Sequence, residues 1–307
     1  MMPSAPHSPP RLADVLREQV RAVALALRVP AFVALAVLVL GTALTIAEFI
    51  TGGGPVDFAP ELSMLPGFLG FLFPIAVWKG ERRFGTSFLW LLPVDRSRHA
   101  LLKVAAGWVW LMATVLFFLA WIFGLALVTG GNILGEHTVQ LLPSAAVPEA
   151  GVLDPSALRT VVYAPQPILW LVPFTAATGA YLLASAVALG SRYPLRWMIA
   201  ALFVVMVISA TGAATNIDGL KFFAARLIDA VHEGRYGLDT LLTARAESLK
   251  TAVVLSTGKT VGVWRGLPDT GDWAVETLLW GGAGAVALLA AALRQRERRE
   301  PHPGNSP

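Results

Sequence analysis

The sequence predicts an all-α, polytopic integral membrane protein that crosses the bilayer six times and carries an interfacial helix before the first crossing. Three observations lead to this fold class. Only 14% of the residues are charged, against roughly 25% in soluble proteins, and the mean hydropathy is +0.63. Six apolar stretches reach or approach the roughly 20 residues that a helix needs to cross a bilayer core. The Lys and Arg residues lie mainly in the gaps between those stretches, as in membrane proteins.

The chain divides into three predicted parts: a cytoplasmic N-terminus (1–30), a transmembrane domain (31–293) and a basic cytoplasmic tail (294–307). The second apolar stretch is short, and Pro66 and Pro74 interrupt it, which predicts a kink or a half-span. The six predicted spans cover residues 31–50, 62–78, 101–128, 167–190, 195–215 and 273–293.

The N-terminal segment before the first span has an amphipathic pattern. Its apolar residues recur at helical spacing, with charged residues on the other face. Such a helix is expected to lie in the cytoplasmic membrane interface; the alternative is a surface helix of a small soluble domain. Pro30 is a favoured helix start, so the first span is expected to begin at Ala31. The apolar positions are Leu12, Val15, Leu16, Val20, Val23 and Leu27.

The distribution of basic residues predicts the orientation. Sixteen of the 24 Lys and Arg residues fall on one side of the six-span layout, and cytoplasmic loops are the ones that carry this excess. Both termini are therefore expected to be cytoplasmic, in the cell membrane, with the loop 216–272 outside. Topology accounts for the high pI of about 9.7, so no nucleic-acid partner is expected.

The stretch Gly258-Lys259-Thr260 has the ending of a phosphate-binding loop. The full motif requires a glycine at position 253, where this chain has Val253, and a helix after the threonine. The following residues indicate a strand and a turn instead. The glycine is therefore predicted to make a tight turn between two strands, in the outer loop, and no nucleotide site is expected on this chain.

The most informative stretch is the segment 79–103, which joins the second and third spans on the predicted cytoplasmic side. It reads Glu81, then Gly85-Thr86, then Leu91-Leu92-Pro93, with Arg96 and Lys103 after it. This order and spacing resembles the first cytoplasmic loop of ABC-2 type transporter permeases. The N-terminal interfacial helix and the six-span layout resemble that family too.

The resemblance implies a permease subunit of an ATP-driven exporter that works as a homo- or heterodimer. ATP and Mg²⁺ would bind to a separate ABC ATPase subunit, so this chain would be no enzyme and would bind no cofactor or metal. Aromatic residues flanked by arginines are typical of a protein–protein hot spot; the alternative is that the arginines anchor the loop at anionic lipid headgroups, and both can hold. The residues expected to contact the ATPase are Glu81, Arg82, Arg83, Phe84, Gly85, Thr86, Phe88, Leu91, Pro93, Arg96 and Lys103.

Two carboxylates lie near the outer ends of predicted spans. Acidic residues inside a membrane are functional candidates by default, so Glu48 is a candidate pathway residue and Glu276 a weaker one. The five histidines are scattered and match no metal-ligand spacing, which leaves an intramembrane enzyme without a catalytic constellation. The main alternative function is a non-transport polytopic protein, such as a membrane sensor or an assembly factor.

Overall fold

A computed structural model gives the fold, which is mostly helical. Six helices are defined: α1 (Leu12–Ile50), α2 (Met64–Val77), α3 (Arg96–Thr129), α4 (Val172–Gly190), α5 (Leu238–Thr243) and α6 (Thr270–Glu297). The residues that the structure describes are 12–58, 64–78, 96–133, 135–142, 152–191, 196, 203, 207, 237–245, 252–258 and 260–297.

Helix α1 corrects the prediction for the N-terminus. It is one continuous helix of 39 residues with Pro30 inside it, so no helix starts at Pro30. At 1.5 Å per residue it is about 58 Å long, well beyond a bilayer core of about 30 Å. The apolar face of its first half packs on the protein, with Val23 and Leu27 buried and Leu16 and Val20 against the same core. This face is therefore covered by other helices and does not lie on lipid.

Among the described residues, four helical segments are long and apolar enough to cross a membrane: 12–50, 96–129, 167–190 and 270–294. They contain the predicted first, third, fourth and sixth spans. The predicted second span contains α2, whose 14 residues are about 21 Å long, with Pro74 inside the helix. Most of the predicted fifth span lies outside the described residues, although Arg196, Phe203 and Val207 are helical.

Helices α1 and α3 run in the same direction. The Trp110 indole donates a hydrogen bond to the Val20 carbonyl (2.9 Å), and the Trp121 indole donates to the Thr42 hydroxyl (2.8 Å). Residue numbers therefore rise together along the two helices. This parallel arrangement requires the intervening chain, which contains α2, to return to the starting end of the bundle.

Helix α4 runs opposite to α3 and parallel to both α2 and α6. The Tyr181 hydroxyl donates to the Val104 carbonyl (2.8 Å), while Thr178, earlier in α4, contacts Met112, later in α3. Along α2 and α4, Gly67 packs near Ala176 and Phe73 packs edge-on to Tyr181. Along α4 and α6, the packed pairs are Leu182 with Gly284 and Gly190 with Ala291.

A small β layer covers the end of the bundle where α3 ends and α4 and α6 begin. Strands β1 (His137–Leu141) and β3 (Arg159–Tyr163) pair antiparallel, while β2 (Val152–Leu153) and β5 (Thr260–Gly262) flank β4 (Ala252–Leu255). The predicted hairpin is confirmed: β4 and β5 are joined through Gly258 at φ +78°. The purely all-α prediction is wrong in this layer, because short runs rich in β-branched residues form strands there.

Helix α5 is a six-residue helix that packs against α2, α4 and α6 at the same end as the β layer. Two of its three leucines occupy positions that glycines leave open. Leu242 fills the space where Gly67 of α2 has no side chain, and Leu241 lies over Gly179 of α4. The segment after Gly237, which the sequence assigns to an outer loop, therefore includes a helix docked into the bundle.

Candidate functional site

Two of the eleven predicted ATPase-contact residues, Arg96 and Lys103, lie in the described part of the chain. The other nine are in the segment 79–95, outside the described residues. Arg96 is the first residue of α3 and is partly exposed. Trp78, the last described residue before the segment, follows α2 directly. The structure thus places both ends of the segment 79–103: one follows the C-terminal end of α2, and the other lies in the first turns of α3.

Lys103 occupies a buried position one to two turns into α3, with only 6% of its surface exposed. Its ammonium group lies over the ring of Trp78, 4.8 Å from the centroid. A cation over an indole face is attracted by the ring quadrupole, by about 0.5–1 kcal/mol at exposed sites and about 2 kcal/mol when desolvated. In the structure Lys103 thus links the end of α2 to the start of α3. Its predicted contact with the ATPase stays a prediction.

The first half of α1 is held against the same region. The Gln19 amide nitrogen lies 3.5 Å from Nδ1 of His99 on α3. The carbonyl of the next residue, Val20, accepts a hydrogen bond from the indole of Trp110, further along α3. His99 is partly buried at this contact. The first half of α1, the C-terminal end of α2 and the first turns of α3 therefore form one packed unit next to the start of the segment 79–103.

The described residues at this end of the bundle carry cations on an apolar base. Within the described ranges, no group of three or more His, Asp or Glu residues could hold a metal ion. The cations Arg96, Arg98 and Lys103 begin α3, and Arg294 lies near the end of α6. The arrangement is suited to binding an acidic surface.

Glu48 lies two residues before the end of α1, at the opposite end of the bundle. Its side chain is exposed, and its backbone carbonyl accepts a hydrogen bond from the Gly53 amide (2.8 Å) in the turn after the helix. The structure thus leaves the Glu48 carboxylate at the surface, away from the helix contacts of the bundle. Its role as a pathway residue stays a prediction.

Glu276 is in a different environment. Its side chain is fully buried, with 0% exposed surface, on the face of α6 that also buries Trp273, Leu288 and Ala291. Trp273 packs inside the protein with Val172 of α4 and Ala244. The sequence makes Glu276 a weaker candidate for a pathway residue than Glu48. In the structure, however, Glu276 is the buried carboxylate and Glu48 the exposed one.

Other polar residues are buried at the end of the bundle that the β layer covers. Helix α5 and the residues after it bury Asp239, Thr240, Thr243 and Arg245. The guanidinium of Arg245 stacks on the ring of Trp264 at 3.9 Å.

The β layer adds an apolar cavity and a capped turn. The cavity, about 460 Å³, is lined by Ile133, Pro165, Pro167 and Trp170 and offers no ionisable group of its own. At the turn, the Ser156 amide donates to the Asp154 carboxylate (3.0 Å), and this bond lowers the pKa of Asp154 below its usual value.

Comparison with models of known protein families finds no match, and neither do comparisons with curated protein sequences and with solved structures.

Proposed function

We propose that this chain is the transmembrane permease subunit of an ATP-driven ABC-2 type exporter. It works as a dimer of permeases, either homo- or heterodimeric, with separate ABC ATPase subunits that bind ATP and Mg²⁺. Both termini and the segment 79–103 lie in the cytoplasm, and the β layer and α5 lie outside. The protein itself catalyses no reaction.

The helix directions support six crossings of the cell membrane. Helices α4 and α6 are parallel neighbours, so the chain between residues 191 and 269 has to return across the bundle once. The predicted fifth span, 195–215, is the apolar stretch available for that return. By the same reasoning α2 makes the return between the parallel helices α1 and α3. Despite its short length, α2 then acts as the second crossing, with the adjoining residues completing the passage.

The observation that best supports this proposal is the position of the two ends of the segment 79–103. Its two ends are joined by the contact between Trp78 and Lys103, and they lie at the end of the bundle where α1 and α3 begin. That end also collects the basic residues of α3 and the C-terminal part of α6, as the positive-inside rule expects of a cytoplasmic face. A movement of this segment caused by a bound partner would be transmitted directly to α2 and α3, because the ends of these helices pack together.

The test is association with the ATPase. The permease is purified in mild detergent from its native host, and the ATPase is identified by its nucleotide binding. Arg96→Glu and Phe88→Asp are then compared with the wild type. Loss of a hot-spot contact costs at least about 2 kcal/mol, or about thirty-fold in Kd, so both variants are expected to lose most of the bound ATPase.

Arg159→Glu is the matched control, because Arg159 is an exposed arginine on β3 at the opposite end of the bundle. The Arg96→Glu change places an acid at the start of α3, where the helix dipole favours negative charge, so the helix itself should tolerate it. Equal ATPase binding by the wild type and both test variants would refute the coupling role. Absence of any nucleotide-binding partner would favour the non-transport membrane protein instead.

A further inference from the structure

Glu276 has no counter-charge within bonding distance in the described part of the chain. Neither carboxylate oxygen makes a hydrogen bond of ordinary geometry there, although the Trp280 indole, one turn along α6, is placed to donate to the group. Trp273 lies one turn before it on the same helix face. The fully buried carboxyl group thus lies within one helical turn of two tryptophans on α6.

The charged groups around this position lie on few elements. Asp272 is one turn earlier on α6, and Asp239 and Arg245 belong to α5 and its end. Arg265 and Asp269 precede α6. Helix α4 carries no charged residue, and neither does α3 beyond Lys103, so the two long helices packed on α6 offer nothing to neutralise a carboxylate.

A buried carboxylate without a partner is expensive, and such groups become neutral instead of staying charged. An acid inside a membrane protein is a functional candidate for the same reason. The site has no described cavity that could admit a cationic group of a solute. A proton is the one cation that needs no additional space.

We propose that Glu276 is a proton-binding site, neutral in the resting protein, whose deprotonation loosens α5 from the bundle. The step is an acid dissociation in which the O–H bond of the carboxyl group breaks and the proton passes to water. The remaining negative charge then lies among α4, α5 and α6. This site is independent of ATPase coupling and of the identity of any transported molecule.

Helix α5 is the element best placed to respond. It has only six residues, and leucines over Gly67 and Gly179 hold it in place. It packs on α6, and its end is bonded to the start of α6 through the Asp269 amide and the Ala244 carbonyl (2.9 Å). The Thr240 hydroxyl of α5 is itself buried without a hydrogen bond in the described part of the chain.

Infrared difference spectroscopy of the purified protein tests the protonation. The wild type is expected to show the C=O stretch of a protonated carboxyl group at neutral pH and to lose it in alkali. Glu276→Gln should remove the band, Glu276→Asp should keep a shifted one, and Glu136→Gln, at an exposed position, should leave it unchanged. A band that persists in Glu276→Gln, or none in the wild type, would overturn the assignment.

Cysteine labelling tests the movement of α5, because the chain has no cysteine of its own. Thr240→Cys places a thiol at a position with 2% exposure, and Ser256→Cys places one at an exposed position in the β4–β5 turn. The maleimide reaction rate of the Thr240→Cys thiol is divided by that of the Ser256→Cys thiol, both in detergent. This ratio corrects for the general increase of thiol reactivity with pH. This ratio is expected to rise several-fold in alkali, and to stay constant when Glu276→Gln is added.

Two results would reject the proposal outright. One is a rate ratio that does not change with pH in the wild-type background. The other is a Glu276→Gln protein that fails to fold, because the amide is close in shape and charge to the protonated acid and should be accepted. Both measurements use the isolated permease, so they do not depend on whether an ATPase partner is found.

Discussion

Gly107 of α3 is predicted to be intolerant of even one added methyl group. A Cβ there would overlap the hydroxyl oxygen of Tyr181 on α4 and lie 2.9 Å from Cγ2 of Val77 on α2. Tyr181 cannot easily move, because it is fully buried and donates to the Val104 carbonyl. Gly107→Ala therefore forces apart three helices at the centre of the bundle.

The magnitude follows from two opposing terms. Adding a methyl group to a well-packed core costs about 1–3 kcal/mol, while replacing a helical glycine by alanine gains up to about 1 kcal/mol. Gly124→Ala on the same helix receives only the gain, because nothing lies within 4 Å of its added Cβ. The difference between the two variants in free energy of unfolding is thus expected to be about 1–3 kcal/mol, with Gly107→Ala the less stable.

Tyr181→Phe supplies a second test of the same contact. It removes the oxygen that the new methyl group would overlap, at the cost of one hydrogen bond worth about 0.6 kcal/mol inside a membrane protein. In the phenylalanine background the penalty of Gly107→Ala should fall by about 1 kcal/mol, within the usual range for residues in contact. The measurement is reversible unfolding in mixed micelles followed by tryptophan fluorescence. Strictly additive effects, or equal stability of the two alanine variants, would refute the packing argument.

Three further predictions concern the two ends of the bundle. Lys103→Met should lower the free energy of unfolding by about 0.5–2 kcal/mol through loss of the contact with Trp78, whereas Lys103→Arg should retain most of that stability. The measurement is thermal unfolding, and unchanged stability of the methionine variant would contradict the prediction. Because its hydrogen bond lowers the pKa of Asp154, that bond stabilises the fold above the ordinary aspartate pKa of about 3.9 and is lost as the pH falls through the lower folded-state value. Hydrogen exchange at the Ser156 amide, measured against Asp154→Ala, should show protection that disappears on acidification, and protection that persists in acid would count against the capping bond. A cysteine at Ser87 should react with impermeant label only in inverted vesicles, whereas a cysteine in the β4–β5 turn should react in intact cells; the reverse pattern would invert the topology.

Several local features follow from the sequence because they depend on neighbouring residues alone. The turn at Gly258 needs a residue that tolerates positive φ, and its flanking β-branched runs predict the two strands that the structure contains. The long apolar stretches likewise predict helices at 101–128 and 273–293, since apolar length is a direct property of the chain. The extension of α1 through Pro30 is different, because packing of its first half on α3 stabilises a helix that the local signal would interrupt.

The sequence by itself determined that this chain is apolar enough for a membrane, where its long helices lie and how its basic residues are distributed. Only the tertiary structure decided which helix faces touch protein: the Val23 face of α1 packs on its neighbours, and Glu276 is buried while Glu48 is exposed. The physical reason is that lipid tails and a protein core are similarly apolar, so hydropathy does not distinguish a lipid-facing side chain from a buried one. That difference arises only when the helices pack together.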